Sequence, residues 1–248
     1  MRLVTWNCCR GSVAKKLPLL ESMAPSIVTL QECRQPATED ASTIWHGDPG
    51  RQGVAVCAAD GYRISPVPQR EVPRYAVPIQ VDGPVRFFML AVWSKTDLHY
   101  RYVKAVIRAL ECYRDLILAQ PTVLIGDFNS NRIWDYKRPP AQNHSGLVRN
   151  LDNLGLVSAY HEFHGEAQGL ETRATLYLLK KKARPYHIDY CFIPRIWLPY
   201  LRSVEVGTYE AWSPSSDHAP LLVDLDLPAT AYGIKHAHMT PCQSTSTN

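Results

Sequence analysis

The sequence predicts an α/β fold in which two packed mixed β-sheets are flanked by helices, giving a four-layer sandwich. Short runs rich in Val, Ile, Leu and aromatic residues recur along the chain, and several follow one another with no helical pattern between them. A strictly alternating parallel fold would need a helical pattern after nearly every strand. No loop of the GxGxxG or GxxxxGK type is present, which disfavours the nucleotide-binding folds.

The predicted strands are short apolar runs of the kind found in buried sheets, and several are bounded by Gly, Pro or Ser. In chain order they cover residues 2–7, 26–32, 53–59, 86–93, 121–128, 172–179, 186–194, 203–207 and 220–227. Strands outnumber helices in this pattern.

Three helical segments are predicted between the strands. The clearest covers residues 100–119, where Val103, Val106 and Leu110 belong to one apolar face. A second covers residues 12–23, and Pro18 should kink or split it. A third covers residues 145–154 and ends ahead of a glycine.

Length and composition favour one soluble domain. The 248 residues are predicted to form a domain over residues 1–227 and a mobile polar tail over residues 228–248. Hydrophobic residues make up 46% of the chain and charged residues 20%, which excludes the disordered and fibrous classes. The longest apolar run, residues 87–93, is far shorter than the roughly 20 residues of a membrane helix.

Cysteine usage and charge give weaker indications. The seven cysteines form no CxxC pair, so we expect reduced thiols. We also expect a cytoplasmic monomer with no membrane partner. The net charge of +4 permits an anionic substrate without requiring one.

Polar residues stand where three apolar strands end, and polar groups gathered at strand ends are how sheet scaffolds present a site. The segment TWN ends at Asn7, and VTLQE ends at Glu32. In VLIGDFNS, the period of two in a strand places Asp127 and Asn129 on the same side of the chain.

Two later segments add acids and a histidine. YHIDYCFIP places Asp189 inside an apolar strand, and SSDHAPLLV places Asp217 and His218 directly before a strand. A buried carboxylate carries a large desolvation cost unless a partner neutralises it, and His218 is the obvious partner for Asp189. Each residue alone is better explained as a turn or a solvated group, whereas their joint occurrence favours a site.

The segments TWN, LQE, GDFN, HIDY and SDHAPL, in this order and spacing, resemble the endonuclease/exonuclease/phosphatase superfamily. The resemblance spans nearly the whole chain. It implies a deoxyribonuclease-like two-sheet sandwich and hydrolysis of phosphate esters with a divalent metal. Apurinic/apyrimidinic endonucleases and deoxyribonucleases are among the members, together with sphingomyelinases and inositol polyphosphate phosphatases.

The resemblance also implies a metal site. Glu32 would ligate Mg²⁺ or Mn²⁺ with help from Asn7 and Asp217, and oxygen ligands suit such hard cations. Many relatives carry Asp or Asn where this chain has Cys9, a softer group less suited to Mg²⁺. The number of metal ions therefore stays open.

Catalytic roles follow from the same resemblance. Asp127 would orient and deprotonate the attacking water, and Asn129 would hydrogen-bond a phosphoryl oxygen. His218, kept cationic by Asp189, would stabilise charge that grows on the phosphorane-like transition state. The competing assignment makes His218 the general base, and the sequence does not separate the two.

Substrate contacts are predicted at Trp93, Lys181 and Arg184. Trp93 aligns with a His or Tyr that relatives usually present to the phosphate, but indole cannot transfer a proton at neutral pH. Lys95 and His99 are either alternative proton donors or residues of a solvated loop.

The basic run that includes Lys181 and Arg184 lies just before HIDY, so it is either a phosphate-backbone contact or a solvated turn.

The leading functional hypothesis is a metal-dependent phosphodiesterase that cuts nucleic acid. One alternative is hydrolysis of a small or lipid phosphate ester. Nucleic-acid enzymes need a long basic groove, whereas lipid enzymes usually expose apolar loops. A second alternative is a non-catalytic nucleic-acid-binding or protein-binding module, motivated by Cys9 and Trp93. Retention of the other site residues argues against that module.

Overall fold

The computed structural model describes residues 1–37, 40–70, 74–95 and 102–228. His99 and residues 229–248 of the predicted tail lie outside these ranges. Within them the chain forms two six-stranded mixed sheets packed face to face, with helices on both outer faces. The predicted fold class is confirmed.

The first sheet has the strand order β13-β14-β1-β2-β4-β3. Its strands are β1 (Arg2–Asn7), β2 (Ile27–Arg34), β3 (Thr43–Gly47), β4 (Gln52–Ala58), β13 (Leu201–Val206) and β14 (Leu221–Leu225). Only β1 and β2 run parallel, and the other neighbours are antiparallel.

The second sheet has the order β5-β6-β7-β8-β12-β9. Its strands are β5 (Arg63–Pro66), β6 (Ala76–Asp82), β7 (Phe87–Trp93), β8 (Thr122–Asp127), β9 (Leu156–Ser158) and β12 (Asp189–Pro194). Here β7 and β8 are the parallel pair. A two-stranded hairpin, β10 (Leu176–Tyr177) with β11 (Pro185–Tyr186), lies apart from both sheets.

The helices cover the outer faces. They are α1 (Val13–Lys16), α2 (Val103–Cys112), α3 (Arg114–Ala119), α4 (His144–Asn153), α5 (Ala159–His164) and α6 (Tyr209–Trp212), with 3₁₀ turns at Leu17–Met23, Arg132–Lys137, Leu178–Lys180 and Arg195–Tyr200. None of the described helices is long and apolar enough to cross a membrane.

Three apolar clusters hold the layers together. The largest lies between the sheets, where Ile27 and Val56 of the first sheet pack with Met89 and Ile125 of the second. A second joins the outer face of the second sheet to α2, α3 and α4, and a third joins the first sheet to α1 and its 3₁₀ turn. Burying such side chains stabilises a fold by about 1.5–3 kcal/mol each.

The helical predictions hold with one correction. The predicted helix over residues 100–119 is two helices in its described part, because Tyr113 leaves helical geometry between them. The Tyr113 hydroxyl accepts a hydrogen bond from the backbone N–H of Arg70, and its ring packs against Phe88. The segment 12–23 is split ahead of Pro18, as predicted.

The predicted strand over residues 172–179 is wrong outside Leu176–Tyr177, and the run 186–194 is interrupted before Asp189. The Thr175 hydroxyl accepts the backbone N–H groups of Ile188 and Asp189, which replaces sheet pairing there. Four strands were missed, β3, β5, β6 and β9. In β6 the signal is weakened by Pro78, because proline is rare inside paired strands.

Candidate active site

The two sheets bring the polar strand ends to one edge of the sandwich. Asn7 is the last residue of β1, and Asp127 is the last residue of β8. Asp189 begins β12, which runs antiparallel to β8, so the register places it directly opposite Asp127. His218 lies on the loop before β14, next to β1 in the first sheet.

Three of these side chains form a buried group. Asp127, Asp189 and His218 are 1%, 0% and 6% exposed, and each offers a ligand atom within 4.8 Å of the others. His218 Nδ1 lies 2.9 Å from Asp189 Oδ2. The pairing predicted from the sequence is therefore present, and it leaves the other ring nitrogen, Nε2, for a substrate. By donor type the group could also hold a metal ion.

The charge of His218 is set by its neighbours. Burial alone would lower the pKa of the imidazole, but the Asp189 carboxylate and its hydrogen bond, together with Asp127, raise this pKa to about 10. His218 is therefore cationic at neutral pH. A histidine in that state donates a hydrogen bond and accepts no proton.

Asp127 is held by two asparagines. Its Oδ2 accepts hydrogen bonds from Asn7 Nδ2 at 3.0 Å and from Asn129 Nδ2 at 2.9 Å, and its Oδ1 accepts the backbone N–H of Asn129 at 2.8 Å. Burial and the Asp189 charge raise the pKa of Asp127 to about 7, although His218 and the Asn7 hydrogen bond act in the opposite direction. A carboxyl with that pKa can take up a proton near neutral pH.

Asn129 occupies the left-handed region at φ 46°, which asparagine tolerates better than most residues. Its amide also donates to the Ser94 carbonyl at 2.9 Å. Both amide hydrogens are therefore engaged within the protein. The resemblance implied that Asn129 contacts a phosphoryl oxygen. This geometry instead favours a role for Asn129 in positioning the Asp127 carboxylate.

Glu32 reaches the site through an irregularity in β2. The pairing of β2 with β4 shifts register between Leu30 and Cys33, and Glu32 between them has φ 56°. Such bulges re-aim side chains next to active sites. The half-buried carboxylate accepts hydrogen bonds from Asn7 Nδ2 at 3.2 Å and from Gln52 Nε2 at 3.3 Å.

Asp217 and Cys9 lie beside Glu32. Burial raises the pKa of the Cys9 thiol, and the negative charges of Asp217 and Glu32 raise it further. The Cys9 backbone N–H donates to Asn7 Oδ1 at 3.2 Å. Cys9 thus lies near both predicted carboxylate ligands, and the buried Asn7 contacts Glu32 and the Cys9 backbone.

Two supporting residues escaped the sequence analysis. Ser216 Oγ donates to the Asn7 carbonyl at 2.7 Å and accepts the backbone N–H of His218 at 3.0 Å, which ties the SDH turn to β1. The turn-forming SSD segment was a signal for Ser216. For Gln52 the sequence carried no signal, because its place opposite Arg34 depends on strand register.

Trp93 lies opposite Asp127 in the pairing of β7 with β8, but its side chain is 6% exposed and packs against Tyr75. The ring belongs to the apolar cluster between the sheets. Lys95 Nζ lies 4.3 Å from the Trp93 ring centroid and 4.1 Å from that of Tyr75.

The predicted basic run lies at the tip of the β10–β11 hairpin. Lys182 forms an ion pair with Glu210, and Lys180 Nζ donates to the Pro214 carbonyl at 3.3 Å. Lys181 and Arg184 are exposed and form no ion pair with any described residue. An acid in α6 therefore offsets part of a charge that appeared unopposed in the sequence.

The fold is similar to that of several enzymes of known structure. It matches an AP endonuclease from Archaeoglobus fulgidus with a TM-score of 0.68 and 17% identity, covering 92% of this chain and 100% of that one. It matches a 3′ phosphatase from Neisseria, bound to a product DNA hairpin, with a TM-score of 0.66, 20% identity and the same coverage. The chain has the fold of these nucleases.

A further match is the endonuclease domain of TRAS1, a telomere-specific non-LTR retrotransposon, with a TM-score of 0.65, 14% identity, and coverage of 90% of this chain and 97% of that one. The deoxyribonuclease-like sandwich that the sequence motifs implied is thus confirmed. No protein-family model matches the sequence, and no curated protein sequence matches it.

Proposed function

We propose that this protein is a metal-dependent phosphodiesterase that cuts nucleic acid by in-line attack of water. The observation that carries the proposal is the buried group of Asp127, Asp189 and His218. In it a cationic His218, held by Asp189, lies beside Asp127, whose carboxyl has a pKa of about 7. The nuclease fold supports it, since the similar Neisseria structure holds a product DNA hairpin.

The donor set fits a divalent cation at the solvent-facing side of the site. Glu32, Asp217 and Asn7 Oδ1 offer hard oxygen atoms, the kind that Mg²⁺ and Mn²⁺ prefer. The buried group fits a cation less well, because His218 Nδ1 is already engaged by Asp189 and the ring is positively charged. When bound, the ion would neutralise phosphate charge and polarise the phosphoryl oxygen.

The protein supplies the proton transfer and the charge stabilisation. Asp127 takes a proton from the water as its oxygen bonds to phosphorus, and Asn7 and Asn129 hold the Asp127 carboxylate in place. The opposite P–O ester bond breaks, and the leaving oxygen takes its proton from solvent. His218 Nε2 donates a hydrogen bond to the phosphoryl oxygen that gains charge, because Nδ1 is committed to Asp189. A fixed donor of this kind needs no reorganisation during the reaction.

The proposal is tested with a panel of single-stranded DNA, duplex DNA with and without an abasic site, RNA and bis-p-nitrophenyl phosphate. Each substrate is incubated with Mg²⁺, Mn²⁺ or EDTA, and a His218→Ala variant serves as control. Cleavage of one nucleic acid that needs both metal and His218 supports the proposal. Turnover of the small diester alone would assign the site to small phosphate esters, and no turnover at all would contradict enzymatic function.

A further inference from the structure

A basic cavity of about 340 Å³ opens beside the candidate active site. Among the described residues, three arginines and a lysine contribute to its lining, and no acid does. The lining residues are Arg10, Arg34, Gly50, Arg51, Gln52 and Lys95. The cavity is distinct from the basic run at the β10–β11 hairpin, with which it shares no residue.

The cavity lies next to Glu32 on one side of the candidate active site and next to Asn129 on the other. Gln52, in its wall, donates to Glu32 Oε2 at 3.3 Å. Lys95, also in its wall, follows Ser94, whose carbonyl accepts the Asn129 amide at 2.9 Å. If the scissile phosphate of a nucleic-acid strand lies between Glu32 and Asn129, the next phosphate of that strand can therefore reach this cavity.

Within the part of the chain that the structure describes, the cavity's arginines are not neutralised. Arg10, Arg34 and Arg51 form no ion pair with any described residue, whereas Arg2 and Arg74 each pair with an aspartate. Like charges gathered in one cavity repel one another, and an anion placed among them relieves that repulsion.

The backbone under these side chains is anchored. The Arg34 N–H donates to the Gly11 carbonyl at 2.8 Å, and the Arg51 N–H donates to the Asp48 carbonyl at 2.9 Å in a tight turn. Lys95 is held over the Tyr75 and Trp93 rings. The backbone that carries Arg34 and Arg51 and the ammonium of Lys95 are thus held in place, which lowers part of the entropic cost of binding an anion.

We infer that the basic cavity binds the phosphate next to the scissile one on a polynucleotide strand. The inference rests on the proposed function and narrows it, because a small ester with a single phosphate, such as bis-p-nitrophenyl phosphate, has no second phosphate to place there. Guanidinium groups recognise phosphate through paired hydrogen bonds. The lining residues that the structure describes include no apolar side chain for a lipid.

The test compares Arg51→Ala with Arg63→Ala. Arg63 is an equally charged, exposed residue on β5 that forms no ion pair with a described residue. We expect Arg51→Ala to lower kcat/KM for a short oligonucleotide about tenfold relative to that for bis-p-nitrophenyl phosphate. The log-log salt slope of oligonucleotide binding should become shallower by roughly 0.7 to 0.9. Arg63→Ala should change neither quantity.

Binding is measured separately from turnover. Fluorescence anisotropy of a labelled oligonucleotide in EDTA reports occupancy even if no substrate is cleaved, so failure of the proposed function is distinguishable from failure of the cavity. Equal binding by wild type, Arg51→Ala and Arg63→Ala would overturn the inference. An unchanged ratio of the two kcat/KM values would also overturn it. DNA and RNA strands of one sequence, run in parallel, distinguish the two sources of phosphate.

Discussion

The candidate active site has a buried half and a solvent-facing half, and they are built differently. The buried half is Asp127, Asp189 and His218, whose partners are all inside the protein. The solvent-facing half is Glu32 and Asp217 with Cys9, all half-buried. Asn7 joins them, because its amide donates to both Asp127 and Glu32.

This difference separates the residues expected to carry out the chemical step from those expected to bind the cation. The protein alone determines charge and orientation in the buried half, so substitutions there should change the chemical step. The solvent-facing half gathers the carboxylates of Glu32 and Asp217, so substitutions there should change how a cation binds. Variants that separate kcat from metal affinity therefore test the division directly.

The largest effect is expected for His218→Ala. Removing a fixed donor to a developing charge lowers kcat by about 10²- to 10³-fold, with the fold intact by circular dichroism. The metal concentration for half-maximal rate should barely change. His164→Ala is the matched control, because that ring donates to the Val204 carbonyl away from the site.

A near wild-type kcat for His218→Ala would remove the buried half from the chemistry. Asp189→Asn provides a physical readout of the same pairing. Without the Asp189 charge, burial should lower the pKa of His218 from about 10, and NMR of the imidazole would follow that change.

The next effect is expected for Glu32→Gln, which keeps the side-chain shape and removes the charge. Affinity for Mn²⁺ should fall by about a hundredfold, since cation affinity follows the charge of its ligands. Titration calorimetry measures this without turnover. Asp82→Asn is the control, because that acid lies on β6 and pairs with Arg86. Unchanged Mn²⁺ affinity in Glu32→Gln would place the cation elsewhere.

The pH dependence should show the coupling between the two groups of the buried half. Asp127 must be ionised to act as base, and its pKa is raised to about 7, so kcat near pH 6 should be about tenfold below its plateau. Above about pH 10, loss of the His218 proton should lower kcat again. In His218→Ala the alkaline decline should vanish and the acid limb should move to higher pH, because the His218 charge lowers the pKa of Asp127. A flat profile from about pH 5 to 8 would contradict the role of Asp127.

The two halves also differ in how far the sequence predicts them. The motifs around Asp127, Asp189 and His218 predicted the buried half, because a carboxylate in an apolar strand requires a partner. Glu32 was also found, but the bulge that turns it and the Gln52 contact depend on strand register. Register follows from pairing partners distant in sequence, which local patterns do not specify.

Positive charge was predicted less well from the sequence than the catalytic motifs were. The basic run ending at Arg184 is contiguous and easy to see, yet Glu210 pairs with its Lys182. The basic cavity gathers Arg10, Arg34 and Lys95 from separate loops and strand ends, so no window of sequence displays it. Proximity created by folding therefore produced the stronger concentration of positive charge.

The smallest effect is expected for Cys9→Asp. This change tests directly whether residue 9 contacts the metal ion. A carboxylate adds a hard, charged ligand beside Asp217 and Glu32, so the Mg²⁺ concentration for half-maximal activity should fall about fivefold. Aspartate also tolerates the left-handed backbone at φ 46° better than cysteine. Cys9→Ser is the matched control, because its hydroxyl adds an oxygen without a charge and should move the Mg²⁺ requirement much less.

Cadmium reverses the comparison, since a soft cation prefers the thiol and wild type should bind it more tightly than Cys9→Ser. If neither cation distinguishes the three proteins, Cys9 does not contact the ion. The solvent-facing half would then consist of Glu32, Asp217 and Asn7 alone, and the departure at Cys9 would concern the packing of the loop after β1.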